Sequence, residues 1–282
     1  MPFHQTAATF VQDICLYVHD LDRSITFYCD VLGFRIFKQS AKKVELTADG
    51  KHVLITLLED KDRKKRSMSS TGLYHVAFLV PTREALGRII VQLIKNNHEV
   101  ASADHLVSEA IYIDDPDGHG IEIYRDRDPS TWEWIDGLVK MTVEPLDFEG
   151  ILNEVDQTQM FEGVEPETTL GHIHLHVRDL KESGAFYTKL LGFDVVSTLG
   201  HQALFLATEN YHHHIGMNTW SGKMPPAPDT IQMEGFSIRY PSEEALERVL
   251  DQLEKSNVEI QSSVGRLYVE DPQGMKIYFK VM

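Results

Sequence analysis

The chain has 282 residues, 42% of them apolar and 25% charged, and 43 acidic against 27 basic side chains leave a formal charge of −16. That length suits two domains with cores of their own, and the acidic balance excludes nucleic acid and anionic membrane as partners, because both attract positive fields. No apolar run reaches the ~18 residues of a bilayer span, the N-terminus lacks a signal-peptide pattern, and two cysteines, Cys15 and Cys29, cannot build a disulfide framework, so a reduced cytoplasmic protein is expected.

In chain order, residues 14–18 alternate as a strand and end at Asp20, an N-cap for a helix over 21–31 that Gly33 stops. β-like runs follow at 34–37, 43–46 and 52–58. The basic run 61–66 (KDRKKR) reads as a solvated loop. The order then recurs: a strand at 74–80, a helix at 83–96, and strands near Val100, at 110–113 and at 120–124.

The chain also repeats itself at long range. VHDLDRSITFYCDVLGF (18–34) and VRDLKESGAFYTKLLGF (177–193) share nine of 17 positions, and PTREALGRIIVQLIKNNHEV (81–100) shares ten of 20 with PSEEALERVLDQLEKSNVEI (241–260). YIDDPDGHGIEIY (112–124) matches YVEDPQGMKIYFK (268–280) at Tyr, Asp-Pro, Gly and Ile. Two domains follow, 10–126 and 170–282, joined by an acidic, proline-containing connector over 127–169 that has no repeat partner. The order βαβββ thus occurs four times, as units one to four beginning near residues 13, 74, 171 and 233. One such unit leaves a sheet face bare, so units must pair to close a core. The predicted fold class is α+β, with four βαβββ units forming two half-open eight-stranded barrels.

The phrases Val177-Arg178-Asp179-Leu180, Phe186-Tyr187, Leu191-Gly192-Phe193 and Asp115-Pro116-Asp117-Gly118 with Ile121-Glu122 resemble the vicinal oxygen chelate superfamily, which holds glyoxalases, resistance proteins and extradiol dioxygenases. The resemblance implies one divalent metal inside a barrel, with ligands at the start of a unit's first strand and on its last strand. At those places unit one offers Asp13, unit two His75 and Glu122, unit three His172, and unit four only Gly235 and Tyr278. His75, His172 and Glu122 make a two-His, one-carboxylate set of the kind that leaves coordination sites open and suits non-haem Fe(II), with Mn(II) the other candidate. Each histidine alone reads equally well as a core residue. Glu122, between Ile121 and Ile123, would be a costly carboxylate to bury without a partner. The set requires units two and three to pair, and units one and four. Pairing within each copy would instead assemble Asp13, His75 and Glu122.

The stretch His105, Ile111-Tyr112, Asp115-Pro116, Gly118 and Glu122 resembles the extradiol dioxygenase signature at every position except Ala103. By that resemblance His105 and Tyr112 hydrogen-bond the substrate oxygens and Glu122 binds iron. GHIHLHV (171–177) sets His172, His174 and His176 on one strand face. YHHHIG (211–216) resembles the family's acid/base histidine run, which places that role on His213, with His212 or His214 as alternatives one residue away. For two of these three the plain expectation is an exposed histidine at a turn. Trp220, Met217 and Phe236 read as pocket-lining residues or as core.

GHIHLHV, YHHHIG and VSEAIYIDDPDGHGIEIYRDRDPSTW resemble the two-copy catechol 2,3-dioxygenase group of Gram-positive bacteria. This implies an Fe(II)-dependent extradiol dioxygenase, active in aromatic hydrocarbon catabolism, that inserts O2 into a small aromatic diol to give a ring-opened semialdehyde, in a homo-oligomer. A glyoxalase-type isomerase and a non-catalytic small-molecule binder of the same fold are the other readings.

Overall fold

The computed structural model describes every residue except Met1, Thr6, Met68, Gln157 and Val264. Unit one runs β1 (Phe10–Val18), α1 (Leu21–Ile25), β2 (Arg35–Ser40), β3 (Lys43–Thr47) and β4 (Val53–Glu59). Unit two runs β5 (Gly72–Leu79), α2 (Arg83–Lys95), β6 (Ala101–Asp104), β7 (Ser108–Asp114) and β8 (Gly120–Asp126). The connector carries a small hairpin, β9 (Trp134–Ile135) with β10 (Leu138–Val139), and a short helix, α3 (Phe148–Asn153). Unit three has β11 (Thr169–His176), α4 (Leu180–Lys189), β12 (Asp194–Leu199), β13 (Ala203–Ala207) and β14 (Ile215–Asn218). Unit four has β15 (Met233–Tyr240), α5 (Glu243–Lys255), β16 (Gln261–Ser263), β17 (Arg266–Glu270) and β18 (Lys276–Val281).

Each unit's helix starts at a side-chain cap. Asp20, Thr82, Asp179 and Ser242 accept from the amides of Arg23, Ala85, Glu182 and Ala245 at 3.0, 3.0, 2.8 and 3.2 Å. Such caps contribute about 0.5–2 kcal/mol each, so the helix starts repeat because the capping chemistry repeats. The first helix departs from expectation. It is α-helical only to Ile25 and continues over Thr26–Val31 as a wider turn, closed by the Leu32 amide on the Phe27 carbonyl at 3.0 Å. Over one or two turns either pitch buries the same side chains, so periodicity could not separate the two.

The strands form two eight-stranded sheets, ordered β16-β17-β18-β15-β1-β4-β3-β2 and β12-β13-β14-β11-β5-β8-β7-β6. Units four and one thus supply one sheet, and units three and two the other. This is the α+β, half-open barrel architecture expected from the repeats.

The chain divides into two compact bodies: Met1–Leu16, Lys64–Tyr74 and Gly171–Met282, and Tyr17–Arg63 with His75–Leu170. In the second, Leu86, Ile89, Ile90 and Leu93 of α2 are buried, as expected for the apolar stripe of an amphipathic helix. In the first, Val249 and Leu253 play that part on α5. No helix among the described residues is long and apolar enough to cross a membrane.

Candidate metal centre

In the second body, β5 and β8 lie side by side in parallel, with Ala77 in register with Glu122. This brings the buried His75 and Glu122 together, Nε2 to Oε2 at 3.0 Å. On the other side of β8, Tyr112 of β7 stands directly opposite Glu122. Its hydroxyl lies 2.6 Å from His105 Nε2, and its ring centroid lies 5.6 Å from that of His75. His105 is half-buried, with Nδ1 2.7 Å from the Thr142 carbonyl of the connector.

In the first body, the His172 ring is buried on β11, with its centroid 4.0 Å from that of His213 and 6.4 Å from that of His212. The Nδ1 atoms of His212 and His213 lie 2.8 Å apart, so one carries a proton that the other accepts. The expectation that two of these three histidines are exposed does not hold: His212, His213 and His214 are 0%, 8% and 0% exposed. His213 packs on His172 and Phe205 and His212 on Tyr211, and the N-terminal segment covers Tyr211 and His214. The rings of Phe3 and Tyr211 stack at 4.9 Å, and His4 packs edge-on against His214 at 5.1 Å. His214 also hydrogen-bonds the Phe3 carbonyl at 3.0 Å, and burial followed by the nearby His4 holds its pKa well below the ordinary histidine value.

His174 and His176 share a partner that sequence reasoning missed. Asn218 donates its amide to His174 Nε2 at 3.0 Å, and its oxygen lies 2.6 Å from His176 Nδ1. Gly216 faces His174 across the parallel pair β11·β14, and a Cβ there would lie 2.9 Å from the imidazole. The small residue closing HHHIG therefore makes room for a histidine two strand positions from His172. Met217 and Phe236 are core residues, whereas Trp220 is 44% exposed and packs on His174 at 5.6 Å.

His75 and Glu122 are buried in the second body and His172 is buried in the first, so the chain offers two buried imidazoles and one buried carboxylate as candidate ligands. Two donors bound about 2.1 Å from one cation at right angles stand about 3 Å apart, which is the His75–Glu122 spacing. A hydrogen bond would give that distance too. The donor set therefore carries the fit: two imidazoles and a carboxylate, all buried, suit a divalent first-row metal with open coordination positions.

The corresponding places in units one and four are filled differently. Asp13 accepts from Lys280 at 2.5 Å and from the Ser237 hydroxyl at 2.9 Å. Tyr278 donates to Glu234 at 2.8 Å, and Arg266 lies 4.1 Å over its ring. At Gly235, the counterpart of His75, a Cβ would sit 2.9 Å from the Tyr278 ring. An internal ion pair and a phenol ring occupy this site.

A single family description, the Glyoxalase/Bleomycin resistance protein/Dioxygenase superfamily, matches residues 10–123 and again 169–279, and the chain belongs to that superfamily. Within it, the chain is an enzyme of the dioxygenase type: it is 42% identical over 264 residues, 91% of this chain and 92% of the relative, to Catechol-2,3-dioxygenase of Bacillus subtilis (strain 168). A structure from Bacillus subtilis subsp. subtilis str. 168, provisionally named a dioxygenase, superposes with a TM-score of 0.73 at 14% identity, over 98% of this chain and 86% of that one. Glyoxalase I from Zea mays follows at a TM-score of 0.59 and 14% identity, covering 96% and 92% of the two chains. These two likenesses concern the fold.

Proposed function

We propose that the protein is an Fe(II)-dependent extradiol dioxygenase that opens the ring of a catechol-type diol with O2 beside its two hydroxyl-bearing carbons. The observation that supports this reading is the buried His75–Glu122 pair, 3.0 Å apart, in a chain that also buries His172 and is 42% identical to a catechol-2,3-dioxygenase. Those three side chains would hold the ion, with Mn(II) as its substitute. Fe(II) bound there would supply a redox centre at which the diol and O2 react.

The remaining roles belong to the chain's own groups. Tyr112 and His105 form a hydrogen-bonded pair beside the ligands and orient a substrate oxygen. His213, with its ring against His172, is placed to hold and return a proton as the ring opens. The burial of His75, Glu122, His172 and His213 limits water at these groups.

The test is oxygen uptake by purified protein reconstituted anaerobically with Fe(II) and then mixed with catechol. One O2 consumed per diol, with a semialdehyde chromophore formed, is the expected result. Iron-loaded protein that consumes no O2 with any catechol, or that isomerises a thiol adduct without O2, overturns the reading.

A further inference from the structure

The connector has no counterpart in the repeat, yet it is built onto the site's edge. Strand β6 ends the sheet order of units two and three, and residues 142–144 cover that edge. Asp104 and Glu144 exchange backbone hydrogen bonds, amide to carbonyl, both at 2.9 Å, and the Thr142 amide reaches the His105 carbonyl at 3.4 Å. The Thr142 carbonyl then lies 2.7 Å from His105 Nδ1. The turn it grips is tightly specified. Leu106 sits at φ +68, a conformation unfavourable for leucine, and the Asp104 carboxylate holds it by accepting the Leu106 amide at 2.8 Å while pairing with Arg127.

We propose that the connector is a positioning element for catalysis, whose Thr142 carbonyl fixes the tautomer and orientation of His105 and thereby the role of Tyr112. This rests on the ring-cleavage reading for its purpose, though not for its geometry. A carbonyl has no proton to give, so Nδ1 carries the N–H. In the neutral ring Nε2 is then bare and accepts from the Tyr112 hydroxyl 2.6 Å away. With its proton committed to His105, Tyr112 meets a substrate hydroxyl as an acceptor. Unit four shows what happens without such a device. There Tyr268 donates to Gln261, which lies directly opposite on the neighbouring strand, so the ladder alone supplies the partner. In unit two the partner comes from a turn, and the turn needs an outside hold.

The experiment is imidazole 15N NMR on the full chain, with Zn(II) replacing any paramagnetic ion, alongside steady-state kinetics of the Fe(II)-loaded enzyme. Wild type is expected to show His105 protonated at Nδ1 and bare at Nε2. Glu144→Pro deletes the amide that bonds Asp104 and is expected to give mixed tautomers. Val143→Gly with Glu144→Gly loosens the same segment while keeping every N–H, and serves if the proline variant does not fold. In either variant kcat/KM falls about tenfold, as expected for one lost hydrogen bond, and the fall disappears in a His105→Ala background. An Nε2–H tautomer in wild type, an unchanged tautomer in both connector variants, or an equal fall with and without His105 overturns the proposal. The expected tautomers in a protein that turns over no catechol support the positioning and defeat the ring-cleavage reading.

Discussion

Tyr28 donates its phenolic proton to Asp115 at 3.1 Å, and Tyr187 makes the same bond to Asp271 at 3.0 Å. Both tyrosines are fully buried. Each aspartate also ties its own turn: Asp115 accepts the amides of Asp117 and His119 at 2.9 and 2.8 Å, and Asp271 those of Gln273 and Met275 at 2.8 and 2.9 Å. The two phrases most visible in the repeat, Phe-Tyr and Asp-Pro-x-Gly, are thus the two ends of one hydrogen bond, made once in each copy. Burial, then the charge of the aspartate, pushes both phenols well above the ordinary tyrosine pKa.

Removing the donor leaves a buried carboxylate oxygen one partner short. Tyr28→Phe should therefore destabilise the protein by about 1–3 kcal/mol. Urea unfolding checks this: the midpoint should fall while the slope stays constant. A midpoint equal to wild type would mean that water replaces the phenol.

Asp271 gives a pH dependence of defined sign. Burial raises its pKa from 3.8 to about 6, against the pull of the Met275 and Gln273 amides and the Tyr187 hydroxyl. The folded state therefore holds this proton more tightly than the unfolded chain does. The resulting stabilisation is full below about pH 4 and lost as pH rises to about 6, on the order of 3 kcal/mol. Asp271→Asn should remove that slope, leaving the variant's stability flatter than wild type between pH 4 and 6. Equilibrium unfolding across that range measures it, and parallel curves would refute the assignment.

His75→Ala, Glu122→Ala and His172→Ala should each lower metal content from about one equivalent per chain to a small fraction of that, because three protein ligands leave none to spare. Asp13→Ala and Tyr278→Phe should keep the metal. Asp13→Ala should still cost about 1–3 kcal/mol, because it strands the partly buried Lys280 ammonium. Elemental analysis after dialysis separates the two groups. Full metal in His172→Ala would remove His172 from the ligand set.

Of the three consecutive histidines, His213 and His214 should fail in different ways. His213→Gln should retain metal and lose about 10²–10⁴ in kcat, the range for a general acid or base. His214→Gln should instead lower thermal stability, since His214 is fully buried and bonds the Phe3 carbonyl. Kinetics and melting curves of the two variants test the split. A catalytic loss confined to His214 would move the proton-handling role by one residue.

Much of this protein was readable from residues alone. The first helix start at Asp20, the repeat and the strand order within each unit follow from a capping side chain and apolar periodicity, which act over a few residues and leave their mark in the local sequence. The candidate ligands His75, Glu122 and His172 stood out as matched positions of units two and three. What only the tertiary structure decided depends on packing between distant segments. The N-terminal Phe3 and His4 cover Tyr211 and His214 of a run that looked exposed, Asn218 ties two histidines from a neighbouring strand, and the Thr142 carbonyl chooses a tautomer for His105. A main-chain carbonyl is the same atom in every residue, so no choice of amino acid could have announced that contact. Side-chain chemistry is written locally, and its meeting in space is settled by how the sheets assemble.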